Sequence, residues 1–78
     1  MEEFFPNPTS DYVFVEYSIK EYAQLEIMDI LGNVVRTIDL FESGKERIDV
    51  TDLSKGIYFG SLIYNGEIIK TNKLIINK

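Results

Sequence analysis

The side chains able to do chemistry here are carboxylates, hydroxyls and lysines, because the sequence contains neither histidine nor cysteine. That removes the commonest zinc sites, nucleophile–imidazole pairs and histidine pH switches together. Asp11, Asp29, Asp39, Asp49 and Asp52 are scattered without calcium-loop spacing and read as solvated loop and strand-edge acids. Asn7-Pro8-Thr9 has the outline of a glycosylation sequon, but proline in the middle position disqualifies it. No catalytic arrangement emerges, and neither a cofactor nor a metal is expected. What remains is recognition chemistry. Lys70, Lys73 and Lys78 close the chain with no acid among them. They read either as guards against aggregation of an exposed edge strand or as a basic tip offered to a partner.

Charge is unevenly placed. Residues 1–40 carry eight acids and two bases (−6), residues 41–78 five acids and six bases (+1), giving the net −5. An acidic chain with no basic face is not expected to bind nucleic acid. No segment approaches membrane-spanning length, so no membrane insertion is expected. Met1-Glu2-Glu3 is acidic and no apolar signal-peptide run follows, which taken alone describes a soluble cytoplasmic protein.

The elements that must position these groups are strands. With 78 residues there is room for one small domain, and a chain of that size buries only about 60% of its unfolded surface. Its 45% hydrophobic content is enough for it to fold. Phe5-Pro6-Asn7-Pro8-Thr9-Ser10-Asp11 is an extended lead-in, since two prolines fix φ and remove backbone donors. Residues 1–8 are therefore expected as linker and lead-in, and residues 9–78 as the domain, cut from something longer. From Tyr12 the residues alternate: Val13, Val15, Tyr17 and Ile19 against Phe14, Glu16 and Ser18. Ala23, Leu25 and Ile27 define a second strand, and Leu31-Gly32-Asn33 reverses the chain. Val34, Val35, Ile38 and Leu40 alternate imperfectly, which permits a bulge.

Past the polar loop at Glu42-Ser43-Gly44-Lys45, Ile48 and Val50 face inward from a short fourth strand. The segment from Ile57 to Tyr64 is apolar on both faces and belongs mid-sheet. Asn65-Gly66 is the dipeptide of a type I′ hairpin. A last strand, Glu67 to Asn77, is expected to place Ile68, Leu74 and Ile76 on one face. Thr51 is positioned to cap a single helical turn over Asp52–Lys55. The spacing predicts an all-β fold, a small immunoglobulin-like antiparallel β-sandwich of about six to seven strands. Tyr12, Phe14, Tyr17, Tyr22, Phe41 and Phe59 are expected mostly in its core, the alternative being a platform for sugar or peptide.

Leu53-Ser54-Lys55-Gly56-Ile57-Tyr58 reads as a corner. Leu53 plugs the end of the sandwich, Gly56 permits a sharp crossover, and Tyr58 donates its hydroxyl to backbone a few residues upstream. The lead-in, the Leu25–Ile27 strand with Asp29 and Gly32, Gly44, this corner and the ending Lys73-Leu74-Ile75-Ile76-Asn77-Lys78 together resemble a family. They look like the type A C-terminal sorting domain of type IX secretion cargo from Bacteroidetes, over nearly the whole chain.

The resemblance implies a non-catalytic address label on an exported parent protein. The parent would pass through the periplasm on its way to the cell surface or beyond. Its implied partners are the outer-membrane translocon with its shuttle proteins, and a sortase-like cysteine peptidase acting on it as substrate. Lacking a signal peptide, these residues alone would not enter that route. Signal residues carried over by resemblance are Pro6, Asn7, Pro8, Gly32, Leu53, Gly56, Tyr58, Lys73, Leu74, Ile75, Ile76, Asn77 and Lys78. A terminal edge strand with free backbone groups would accept a partner strand, or pair two copies as a homodimer. The competing expectation is an immunoglobulin-like or fibronectin-like accessory module that binds carbohydrate or spaces domains.

Overall fold

Alternation of apolar residues produces six strands and no helix. In the computed structural model, which describes residues 1–78, these are β1 (Tyr12–Tyr17), β2 (Ala23–Asp29), β3 (Val34–Leu40), β4 (Gly44–Asp49), β5 (Gly56–Tyr64) and β6 (Glu67–Ile76). β1 and β4 pair as a two-stranded sheet, and the other sheet runs β3-β2-β5-β6. Every strand pair is antiparallel. The all-β, immunoglobulin-like sandwich expected from the sequence is what forms.

Period-two alternation turns Val13, Val15 and Ile48 of the small sheet toward Leu25, Ile27, Leu62, Leu74 and Ile76 of the large one, all of them buried. Fully burying one such side chain stabilises by roughly 1.5–3 kcal/mol, so this row is the main source of stability. β5 lies between β2 and β6, as its two apolar faces required. Asn65 and Gly66 both take positive φ, 55° and 82°, as a type I′ turn demands.

Three local expectations are corrected or refined. The irregularity of the third strand is a bulge: Ile27 pairs with Arg36 and Met28 with Val34, leaving Val35 over. A second bulge leaves Ile69 over, because Leu62 pairs with Lys70 but Ile63 with Ile68. One extra residue reverses the parity of a strand. Ile68 therefore leaves the face of Leu74 and Ile76 and is 60% exposed. No helical turn forms at Asp52–Lys55. The capping group there is Asp49, whose Oδ1 accepts from the Thr51 N–H at 2.9 Å and the Thr51 hydroxyl at 2.7 Å.

The lead-in does more than precede the sandwich. Phe4, among the residues expected as linker and lead-in, is a core residue, 2% exposed. The Phe5 N–H donates to the Phe14 carbonyl at 3.0 Å and the Phe14 N–H to the Phe5 carbonyl at 2.7 Å, extending the small sheet beyond β1. Farther along, Thr9 pairs in parallel with Ile76 at the edge of the large sheet. Residues 2–9 thus cross from one sheet to the other and close the side of the sandwich between β1 and β6.

Candidate functional site

The register brings the residues expected to matter to one end of the large sheet. Gly56 pairs with Ile76, and Tyr58 pairs with Leu74 on one side and Asp29 on the other. Gly32 lies in the turn that follows Asp29. Against the far side of β6 lie Asn7 and Thr9. Sequence positions from Pro6 to Lys78 therefore form one continuous strip across four segments.

Asn7 is the joint. Its Nδ2 donates to the Lys73 carbonyl and its Oδ1 accepts from the Ile75 N–H, both at 2.9 Å. A side-chain amide here makes the two bonds that a neighbouring strand's backbone would make. The Thr9 N–H then donates to the Ile75 carbonyl at 2.9 Å, and the Asn77 N–H to the Thr9 carbonyl at 2.8 Å. The expectation of free backbone groups along the terminal strand is therefore corrected: from the Lys73 carbonyl to the Asn77 N–H, the outward groups are occupied by the chain's own lead-in. Flanking Asn7, Pro6 and Pro8 are exposed, and both of their preceding peptide bonds are cis.

The corner forms as expected. Leu53 is buried at the end of the sandwich, and the Tyr58 hydroxyl donates to the Ser54 carbonyl at 2.7 Å while its ring packs in the core. In the turn of Gly32 (φ 88°), Asp29 Oδ1 accepts from the backbone of Leu31 and Asn33, both at 2.9 Å, and Oδ2 from the Asn33 amide at 3.1 Å. Donors from Asn33, with backbone help from Leu31 and Gly32, hold the Asp29 carboxyl below its ordinary value. Of the terminal residues, Leu74 and Ile76 are sealed in the core, Ile75 is half-buried on the outer face, and Lys73 and Asn77 are exposed. Lys78 is exposed too, and its Nζ donates to the Thr51 carbonyl at 2.5 Å.

A family model for the secretion system C-terminal sorting domain matches residues 3–77. The chain belongs to that family. It is a sorting signal of type IX secretion, and its parent protein is cargo of that system. No curated protein matches it.

In this sorting domain, three residues central to the strip escaped the sequence reading. Phe4 and Thr9 are two of them. The third is Gly60, where a Cβ would overlap the Phe4 ring at Cζ and Cε2. A glycine inside an otherwise apolar strand is the sequence sign of such a close approach. The expectation of mostly buried aromatics is corrected: Tyr12, Tyr22 and Phe41 are exposed, and Phe14, Tyr17 and Phe59 are only half-buried. Tyr12 and Phe14 stand edge to face on the outside of the small sheet, where Lys45 Nζ lies 5.0 Å over Phe14 and the Arg47 guanidinium 4.6 Å over Tyr12. No group of three or more histidines, cysteines or acids comes together that could hold a metal ion, and no helix is long and apolar enough to cross a membrane.

Proposed function

We propose that the domain is a non-catalytic label that directs its exported parent through the outer membrane. On this reading the translocon and its shuttle proteins bind the folded sandwich in the periplasm, and a sortase-like peptidase then removes it upstream of the lead-in. The observation that carries the reading is the union of Pro6-Asn7-Pro8 with Lys73–Lys78 by side-chain and backbone hydrogen bonds. Two stretches at opposite ends of the sequence form one surface, which suits a signal read on a folded domain.

The proposed signal residues divide by what they touch. Asn7, Gly32, Leu53, Gly56, Tyr58, Leu74 and Ile76 build the shape, while Pro6, Pro8, Lys73, Ile75, Asn77 and Lys78 face outward from it. The rival reading, a carbohydrate-binding module, is favoured by the exposed aromatics of the small sheet. A cation already covers one ring face of both Phe14 and Tyr12, where a sugar would stack.

The test is export of a fluorescent reporter carrying a signal peptide in front and residues 1–78 behind. Removing Lys73–Lys78 is uninformative, since Leu74 and Ile76 are core and the domain would unfold with them. Outward substitutions are the better probe. The full fusion should reach the medium or cell surface, and Lys73→Glu with Lys78→Glu should leave most of it periplasmic. Equal export of a reporter without the domain would refute the reading.

A further inference from the structure

The Lys73–Asn77 edge is closed by Asn7 and Thr9, so a partner cannot add a strand there without displacing the lead-in. A partner that leaves the fold intact must read side chains. Those of Leu74 and Ile76 are sealed inside, which leaves the outer face of the large sheet. No layer covers that face, and its residues are segregated. One row across all four strands is Val34, Met28, Phe59 and Lys73, and beside it Ile57 pairs with Ile75. The middle row is polar: Thr37, Glu26, Ser61 and Thr71. At the end where Val34, Met28 and Ile57 gather, the turn after β2 also projects Ile30 and Leu31, 70% and 82% exposed, and Ile57 is 45% exposed. A solvent-facing sheet surface is ordinarily polar, so an apolar group rimmed by polar residues marks a contact site.

We propose that this end of the outer face, from Leu31 through Ile57 to Ile75, is where a folded secretion protein grips the domain, through an apolar recess edged by carboxylates. The inference rests on the sorting reading and identifies the surface that reading uses. Charge selects the partner's chemistry. Lys73 ends the apolar row and Lys55 stands two residues before Ile57, while the Lys78 ammonium is held on the Thr51 carbonyl at the same end of the domain. The Asp29 carboxylate at the margin has both oxygens engaged within its own turn. These lysines sit on a chain of net charge −5, so an acidic recess attracts this end and repels the rest. An anionic membrane would meet that net charge across its whole surface.

The experiment uses the reporter fusion with Leu31→Ser and Ile57→Thr together, and with Ile68→Thr on the far end of the same face. Urea melts of each purified domain establish that both fold. The double substitution is expected to cut export at least tenfold, with Ile68→Thr exported like wild type. Export of the double variant at the wild-type level, with the wild-type fusion itself exported, would overturn the surface assignment and leave the sorting reading standing. A wild-type fusion retained in the periplasm would remove the reading and the surface with it. Sedimentation of the purified domain with phosphatidylglycerol vesicles, abolished by the double substitution, would overturn a protein partner in favour of a membrane.

Discussion

Gly60→Ala tests whether the lead-in is truly locked into the core. A Cβ at this position would penetrate the Phe4 ring at Cζ and Cε2, far inside van der Waals contact. Phe4 is buried, so its ring can retreat only by moving the segment that carries it. Overpacking of this kind costs about 1–3 kcal/mol. Phe4→Leu alone should cost roughly 1–2 kcal/mol through lost apolar area and a residual cavity. Leucine ends at Cδ and lacks the atoms that would meet the new methyl group. The double variant should therefore lose less than the sum of the two single changes, with a favourable coupling of about 1 kcal/mol or more. A domain of this length is expected to have about 4–12 kcal/mol of stability in all, so each variant stays measurable. Urea unfolding followed by tyrosine fluorescence is the assay. Gly44→Ala, where no atom lies within 4 Å of the new Cβ, is the control and should be neutral. A loss below about 0.5 kcal/mol for Gly60→Ala, or strict additivity in the cycle, would refute the lock.

Three further outcomes follow from the turns and the corner. Tyr58→Phe removes the hydroxyl bond to Ser54 and should lower stability by about 0.5–1.5 kcal/mol in urea melts, leaving the strand register intact by NMR. Gly66→Ala at φ 82° should cost about 1–2 kcal/mol by the same melts, while Gly44→Ala does not. Asp29 has a depressed carboxyl pKa in the folded state, so its contribution is present above the ordinary carboxylate value of 3.8 and fades as pH falls through the folded value. Asp29→Asn should therefore be less stable than wild type near neutral pH in urea melts, with the gap narrowing as pH falls through the carboxylate range and the variant's acid limb flatter.

The parts of this fold legible in the sequence were those governed by neighbours in the chain. Alternation from Val13 to Val15 and from Ala23 to Ile27, the Asn65-Gly66 turn and the Tyr58 corner each depend on contacts a few residues apart or on strict periodicity. Ile68 was misread because a bulge at Ile69 breaks that periodicity, and nothing in the local composition announces the extra residue. The exposed aromatics were misread for two reasons: Tyr12 stands on the solvent side of the small sheet, and Tyr22 and Phe41, just outside β2 and β3, pack on each other at 5.3 Å and remain exposed. Phe4 and Asn7 were opaque for another reason. Their partners, Gly60 and the Lys73–Ile75 backbone, lie more than fifty positions away, and no short-range rule reaches them. The candidate site was recognisable as a set of residues from family resemblance, but their union into one strip required the register.

Thr9 and Ile76 are joined in parallel, and this has a consequence for synthesis. β6 is the last of the six strands to leave the ribosome. Until it does, Asn7 and Thr9 have nothing to bond, and the Phe4 side of the core has no cover from Leu74 and Ile76. Loop closure over so many residues comes late in folding. A translation product that stops short of β6 would carry the lead-in unpaired and an open edge beside β5, and would be a target for proteolysis. Closure of the strip thus reports on synthesis: only a chain made through β6 can form it.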